Sequence, residues 1–154
     1  MIWVRKEENI AWTFYIADEV SFVSSKVGKW MYFFSVDDDL DRVDKLCSQA
    51  VELGIVQESK HTQFDFIGMN PMAKDENTGV CCFYLNCDDM EGHKRIINYF
   101  IENNMIPKTK AGKYYNNSFK LDDQTRAGEY GTDFKGTIKL EQFIDLYTGE
   151  WKHE

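Results

Sequence analysis

The chain resembles itself when it is shifted by 51 residues, and this repeat restricts its possible folds more than any other feature. The shift aligns residues 28–38 with residues 79–89, and each segment opens with Gly and closes with two Asp residues. After each Asp pair, about sixteen residues follow a helical pattern and an extended segment comes next. Two copies are fewer than the roughly three that a solenoid needs for a continuous core. The repeat therefore predicts two strand-helix-strand units folded into one sheet.

The first strand of the repeat is apolar on both of its faces. Trp30, Tyr32 and Phe34 alternate with Met31 and Phe33. A strand with this pattern is typical of the middle of a sheet, where both faces are covered. We therefore expect the first three side chains to point to one face of the sheet and the other two to the opposite face.

Aspartates mark the start of both predicted helices. Asp37, Asp38 and Asp39 supply the cap of the first helix, predicted over residues 38–53, and the second helix is predicted to begin at Asp89 and to span residues 89–102. An Asp at the first position accepts hydrogen bonds from unpaired backbone N–H groups and interacts favourably with the helix dipole. Gly54 follows the first helix and Asn103 the second, and both residue types favour helix termination.

Further elements are predicted on either side of the repeat. Residues 11–16 and 114–121 have the aromatic and β-branched content of strands, the second with a bend at an Asn pair. Residues 138–147 fit a short closing helix, since Leu140, Phe143, Ile144 and Tyr147 fall on one helical face. We predict one α+β domain over residues 1–154, with a mainly antiparallel curved sheet and two or three helices on one face.

This order of elements resembles the translation initiation factor 4E-like superfamily, and within it the basophilic leukaemia expressed protein family. The likeness covers about residues 11–131 and is carried by residues 28–31, 82–84, 88–89, 114–115 and 128–130. A ferredoxin-like sheet also has two strand-helix-strand halves, so it explains the repeat equally well and is the alternative fold.

The resemblance implies a ligand held against the sheet. Classical members of the superfamily bind a methylated guanine cap between two Trp rings, with a carboxylate on the base edge and basic residues on the phosphates. Here Pro71 and Met72 match the family's loop, but Ala73 and Lys74 stand where the stacking Trp and the carboxylate would be. The resemblance therefore implies a small planar or phosphorylated ligand rather than a cap.

Net charge and composition exclude several classes of function. Lys and Arg total 18 against 26 Asp and Glu, a net charge of −8, which repels duplex DNA or RNA. No apolar run approaches the roughly 20 residues that cross a bilayer. Residues 5–8 are all charged where a signal peptide would be apolar, so we expect a cytoplasmic protein with no membrane partner.

No metal or cofactor is predicted. The four Cys residues have no CxxC spacing, and two of them, Cys81 and Cys82, lie within an apolar run. The three His residues have no zinc-finger spacing. We expect reduced thiols in the core.

The candidate ligand site is centred on residues 108–130, where Lys and Arg side chains are most concentrated among aromatic residues. Rings stack on a base, and Lys and Arg bind phosphate. We therefore predict a small, non-enzymatic protein that binds a nucleotide-like or phosphorylated ligand and has no catalytic residue. The predicted ligand-binding residues are Lys29, Trp30, Lys60, His61, Lys113, Tyr114, Tyr115, Lys120, Gln124 and Arg126.

Two alternative functions follow from other features. The acidic surface predicts docking on a basic protein partner, as in phage-type inhibitors of host nucleic-acid or nucleotide-signalling machinery. His61 predicts a phosphodiester hydrolase, because a His side chain exchanges protons near neutral pH.

Overall fold

The chain is built around one antiparallel sheet. The computed structural model describes residues 3–35, 37, 39–66, 77–122 and 138–152. These residues form a seven-stranded sheet and two α-helices, which confirms the predicted α+β class. The elements in chain order are β1 (Val4–Glu8), β2 (Trp12–Ala17), β3 (Val27–Ser35), α1 (Leu40–Glu52), β4 (Glu58–Thr62), β5 (Thr78–Asn86), α2 (Met90–Glu102), β6 (Ser118–Leu121) and β7 (Ile138–Lys139). The order across the sheet is β1-β2-β4-β5-β3-β6-β7.

The repeat forms the centre of this sheet. Its two equivalent strands, β3 and β5, pair antiparallel along nine residues, with Trp30 opposite Phe83. Each of these strands leads into a helix, as the repeat predicts. Strand β5 lies between β4 and β3, and β3 lies between β5 and β6, which is the split arrangement of a β-α-β-β-α-β unit. The β1-β2 hairpin extends the sheet beside β4.

Both helices begin at the predicted aspartates. The Asp39 carboxylate accepts the backbone N–H of Asp41 at 3.1 Å, and the Asp89 carboxylate accepts that of Gly92 at 3.0 Å. Each Asp satisfies an N–H that the first helical turn leaves unpaired. The helices therefore start at the residue after each cap.

The two helices pack on the same face of the sheet. Their apolar side chains join one buried cluster with side chains from the strands, including Val43, Leu46, Cys47, Ile96, Ile97, Phe100, Trp30, Phe34 and Phe83. A second, smaller cluster covers the opposite face and contains Val27, Val80, Cys82 and Tyr84, with Met31 against it. Strand β3 is thus covered on both faces, as its sequence predicts.

The predicted closing helix over residues 138–147 is wrong. Ile138 pairs with Phe119 as part of β7, and a single 3₁₀ turn follows at Leu140–Gln142. The Asp145 carboxylate then accepts the backbone N–H groups of Tyr147 and Thr148, at 2.8 and 3.0 Å, which fixes a turn in place of a helix. Tyr147 is 69% exposed rather than part of the apolar face.

Two strand predictions also need correction. The strand predicted at residues 114–121 begins only at Ser118, because residues 108–114 form a tight hairpin closed by a bridge between Lys108 and Tyr114. Strand β1 was not predicted, since four of its five residues are charged. It lies at an edge of the sheet, where charged side chains oppose pairing with another chain. Among the helices that the structure describes, none has the length and apolarity needed to cross a membrane.

Candidate functional site

The face of the sheet opposite the helices carries three lysines. Lys29 lies on β3, Lys60 on β4 and Lys120 on β6. Lys29 is paired with Tyr84 on one side and Lys120 on the other, and Tyr84 is paired with Glu58. We call this surface the lysine face and define it by Trp12, Phe14, Lys29, Met31, Glu58, Lys60, Cys82, Tyr84, Lys120 and Asp122.

Lys60 is the central cation of the lysine face. Its Nζ lies 3.8 Å from the centre of the Trp12 ring, 5.6 Å from that of Phe14 and 5.7 Å from that of Tyr84. These are cation–π contacts, which stabilise an ammonium group without neutralising it. Burial lowers the pKa of Lys60. The ammonium is therefore partly desolvated within a cage of rings.

The Lys60 ammonium has neither a hydrogen bond nor an ion pair among the described residues. Within the same part of the chain, every side-chain N or O that is sealed from solvent does have a hydrogen-bond partner. The Nζ of Lys60 must therefore remain in contact with solvent. Lys60 is therefore a partly desolvated cation that keeps some contact with solvent.

The other two lysines are more deeply buried. Lys29 and Lys120 are each 4% exposed. The Nζ of Lys29 lies 2.8 Å from a carboxylate oxygen of Asp122 and 5.8 Å from the centre of the Tyr84 ring. Asp122 therefore compensates the charge of Lys29, which lies next to the aromatic rings that surround Lys60.

The lysine face also contains one thiol and two carboxyl groups, Cys82, Glu58 and Asp122. Burial raises the pKa of the Cys82 thiol to about 11, so this thiol is neutral at pH 7. Burial also raises the pKa of the Glu58 carboxyl, against the opposing effect of Lys60. Two carboxyl groups thus face three lysines on this surface, whereas the whole chain has a net charge of −8.

Trp30 does not belong to the lysine face, so its predicted stacking role is wrong. It is 1% exposed and lies in the helix-side core. Its indole N–H donates to Nδ1 of His93 at 3.0 Å, and its ring contacts Phe119 and Phe143. Because successive side chains of a strand point to opposite faces, Trp30 is directed away from its neighbour Lys29.

His61 also lies on the helix side, and its predicted ligand role is wrong. Its Nε2 lies 2.7 Å from an Asp44 carboxylate oxygen and its Nδ1 2.8 Å from the carbonyl oxygen of Thr62. The ring of Phe64 stacks on the imidazole at 4.7 Å, and His61 is 1% exposed. Both ring nitrogens face acceptors, so none is left to act on a substrate. This geometry gives no support to the hydrolase alternative.

Three other predicted residues lie together in a different place. Tyr114 packs against the helix-side core, with the Nζ of Lys108 4.7 Å from its ring centre. The Nζ of Lys113 lies 5.2 Å from the ring centre of Tyr147, and Tyr115 is 51% exposed. The predicted site is therefore divided between the lysine face and this hairpin. Gln124 and Arg126, like the loop at residues 70–76, lie outside the described residues.

Trp12, Tyr84 and Asp122 belong to the lysine face but were not predicted as site residues. Their placement depends on the pairing of β2, β4 and β5, which brings together residues distant in the sequence. The one available signal was that Trp12 and Phe14 share a parity in a strand. That signal does not show which lysine they would contact.

A cleft of about 320 Å³ opens where β5 ends and α2 begins. Its volume lies within the range of about 300–1,000 Å³ that is usual for ligand sites. Its charged lining consists of Asp18, Glu19 and Asp89 against Arg95, which is 3.5 Å from Asp89. This acidic lining opposes an anionic ligand, so the lysine face is the better candidate for one.

No protein-family model matches the sequence, and no curated protein matches it. Among the described residues, no group of His, Cys, Asp and Glu is arranged to hold a metal ion. Support for the candidate site therefore comes from the geometry of the described residues alone.

Proposed function

We propose that the protein binds a small phosphorylated, nucleotide-like ligand on the lysine face and does not catalyse a reaction there. The observation that carries this proposal is the Lys60 ammonium, which is desolvated, has no anionic partner among the described residues and remains in contact with solvent. A phosphate oxygen is the partner that this group lacks.

The magnitudes favour an anion over the rings alone. Cation–π contacts contribute about 0.5–2 kcal/mol. A unit negative charge 4 Å from the ammonium would contribute about 4 kcal/mol at an effective dielectric constant of about 20. The attraction between Lys60 and an anion would therefore exceed that of the rings before the cost of desolvating the anion is subtracted, and phosphate would form charge-assisted hydrogen bonds there.

The surrounding groups favour a ligand with a planar part. Trp12 is only partly buried and lies beside Lys60. Stacking of a base on an aromatic ring contributes about 1–3 kcal/mol. A nucleotide would place its phosphate at Lys60 and its base against the aromatic side of the lysine face.

We further propose that the fold belongs to the translation initiation factor 4E-like superfamily. The order of elements and the placement of both helices on one face support this assignment. The ferredoxin-like alternative is supported by the split β-α-β-β-α-β centre of the sheet. Comparison of an experimental structure with members of both fold groups, by strand order and helix placement, would distinguish them.

Thermal unfolding with a panel of phosphate compounds tests the binding proposal. The panel contains inorganic phosphate and the mono-, di-, tri- and cyclic forms of adenosine and guanosine nucleotides. A compound at 100 times its Kd adds roughly 2.7 kcal/mol to the free energy of unfolding. For a chain of this size, that raises Tm by about 5–11 °C.

Three variants locate the effect. Lys60→Met keeps the aliphatic packing on Trp12 but should abolish the ligand-induced rise in Tm, whereas Lys60→Arg should retain it. Lys45→Met removes an exposed lysine of α1, outside the lysine face, and should leave the rise unchanged. The proposal fails if no compound of the panel raises Tm, or if Lys60→Met responds as the wild type does.

A further inference from the structure

Two tight hairpins lie side by side near the end of the chain. The first spans residues 108–114, with a bridge between Lys108 and Tyr114, and the second spans residues 144–151, with a bridge between Ile144 and Trp151. The Tyr114 N–H donates to the Leu146 carbonyl oxygen at 2.8 Å and joins the two. We call their exposed surface, together with the adjacent Tyr115, the hairpin surface.

The first hairpin carries the positive charge of the hairpin surface, and the second hairpin offsets it in part with the exposed Asp145 and Glu150. Residues 108–114 contain three Lys and neither Asp nor Glu, in a chain whose net charge is −8. Lys108, Lys110 and Lys113 belong to the first hairpin, and none of them forms an ion pair within the described ranges. This segment therefore attracts anions even though the chain as a whole repels them.

The same surface exposes aromatic rings. Tyr147 is 69% exposed, Tyr115 51% and Trp151 38%. The Nζ of Lys113 lies over the ring of Tyr147, so a cation lies next to an exposed aromatic ring. Exposed apolar groups that lie together on one surface are typical of interaction sites.

We propose that the hairpin surface binds single-stranded nucleic acid, with phosphates at Lys108, Lys110 and Lys113 and bases stacked on Tyr147 and Tyr115. Single strands present unpaired bases to aromatic rings, whereas a duplex keeps its bases stacked inside. An acidic peptide would use the lysines but has no base to place on the rings. The combination of open rings and lysines therefore favours a single strand over both other anions.

This proposal is independent of the lysine face. Tyr114 anchors the first hairpin on the helix-side core, whereas Lys60 lies on the opposite face of the sheet. Loss of one activity should leave the other intact. Lys60→Met should therefore bind a single strand as the wild type does.

Fluorescence anisotropy with the full chain and a labelled oligodeoxythymidine of about ten nucleotides provides the test, since single-strand sites span roughly 4–16 nucleotides. Binding should weaken with salt. Each neutralised phosphate contributes about −0.7 to the slope of log K against log salt, so three lysines predict a slope of about −2.

Matched variants separate stacking from charge. Tyr147→Ala should weaken binding about fivefold or more, whereas Tyr147→Phe should retain it. Lys110→Gln with Lys113→Gln should reduce the salt slope by about 1.4, and the control pair Lys6→Gln with Lys45→Gln should leave it unchanged. Circular dichroism confirms folding of each variant, and Tyr115→Ala replaces Tyr147→Ala if the latter does not fold.

Two results would overturn the proposal. One is the absence of binding at low salt. The other is binding that depends on charge alone. In that case polyglutamate of equal charge would compete as well as the unlabelled strand, and Tyr147→Ala would bind as tightly as the wild type. The second result would identify the hairpin surface as a docking site for acidic proteins.

Discussion

The ammonium of Lys60 lies 3.8 Å from the centre of the Trp12 ring, although 48 residues separate the two in the sequence. Antiparallel pairing of β2 with β4 brings them together, with Phe14 opposite Lys60. The contact places a cation on an apolar surface without an anionic partner among the described residues. This pairing has consequences for stability as well as for binding.

Replacing Lys60 with Met should not destabilise the protein by more than about 1 kcal/mol. The variant loses cation–π contacts of about 0.5–2 kcal/mol but no longer buries an ammonium group. Removing one member of a buried ion pair, by contrast, costs about 3–5 kcal/mol. Urea unfolding at pH 7 measures the difference, and a loss in the larger range would show that Lys60 has a structural anionic partner.

The Gly residues that open the two copies of the repeat should not tolerate Ala. A Cβ on Gly28 would lie 2.5 Å from the Phe119 ring and from the Lys120 carbonyl oxygen, and one on Gly79 would lie 2.4 Å from the Phe34 ring. Each Gly thus makes room for a Phe from the neighbouring strand. Overpacking of this kind costs about 1–3 kcal/mol, which thermal unfolding of each Ala variant would detect.

A double-variant cycle gives the matched control for this prediction. Phe34→Leu removes the part of the ring that Gly79 accommodates, so Gly79→Ala should cost less in the Phe34→Leu background than alone. Equal costs in both backgrounds would mean that backbone conformation, rather than the ring, requires Gly79.

Stability should fall as the pH is lowered below about 6.5, because His93 is buried in its neutral form. Burial lowers the pKa of His93, whose Nδ1 accepts from Trp30 and whose Nε2 donates to the Cys87 carbonyl oxygen at 2.9 Å. Between this lowered value and the ordinary one near 6.5, the unfolded chain binds more protons, so the free energy of unfolding rises with pH. Urea unfolding from pH 7.5 to pH 5 measures this slope.

His93→Leu should remove that part of the pH dependence while lowering stability at pH 7. The variant leaves the indole N–H of Trp30 buried without its acceptor, at a cost of about 1–3 kcal/mol. Adding Trp30→Phe removes the unpaired donor and should show favourable coupling with His93→Leu. If His93→Leu alone keeps the full slope of unfolding free energy against pH, another group is responsible for the pH dependence.

A second loss of stability is expected at more acidic pH, from Asp44. Burial raises the pKa of this carboxyl, but hydrogen bonds from Tyr15, at 2.6 Å, and from His61 outweigh it, and the net pKa is lowered. The stabilisation is present above the ordinary value of about 3.9 and is lost as the pH falls through the lower, folded-state value. Acid unfolding followed by circular dichroism should therefore show a smaller slope in this range for Asp44→Asn, and an unchanged slope would contradict the assignment.

The central elements were predictable because their signals are local. The alternation of Trp30 and Met31 with their neighbours predicted a strand covered on both faces, and Asp39 and Asp89 predicted the helix starts. The closing helix was wrong because the spacing of Leu140 and Phe143 also fits the observed turn, and pairing of Ile138 with Phe119 is not a local property. Tertiary contacts of this kind override the local preference of a segment for helix or strand.

The candidate site was predictable only in part, for the same reason. Lys29, Lys60 and Lys120 were predicted as ligand-binding residues, but their grouping depends on strand pairing across the sheet. Lys120 is close in the sequence to Lys113 and Tyr114, so the three residues were predicted to share one site. The structure instead places Lys113 and Tyr114 in the hairpin, apart from Lys120. The residue types of the candidate site are visible in the sequence, whereas their grouping depends on which strands are neighbours in the sheet.

The alternation along β3 divides two tasks between adjacent residues. Lys29 serves the lysine face, while Trp30 anchors the helices on the other side. If the lysine face binds the proposed ligand, substitutions at its parity would alter ligand preference, whereas substitutions at the other parity would alter folding. A lineage carrying this sheet could exchange one ligand for another through a few changes on a single surface and keep its hydrophobic interior intact.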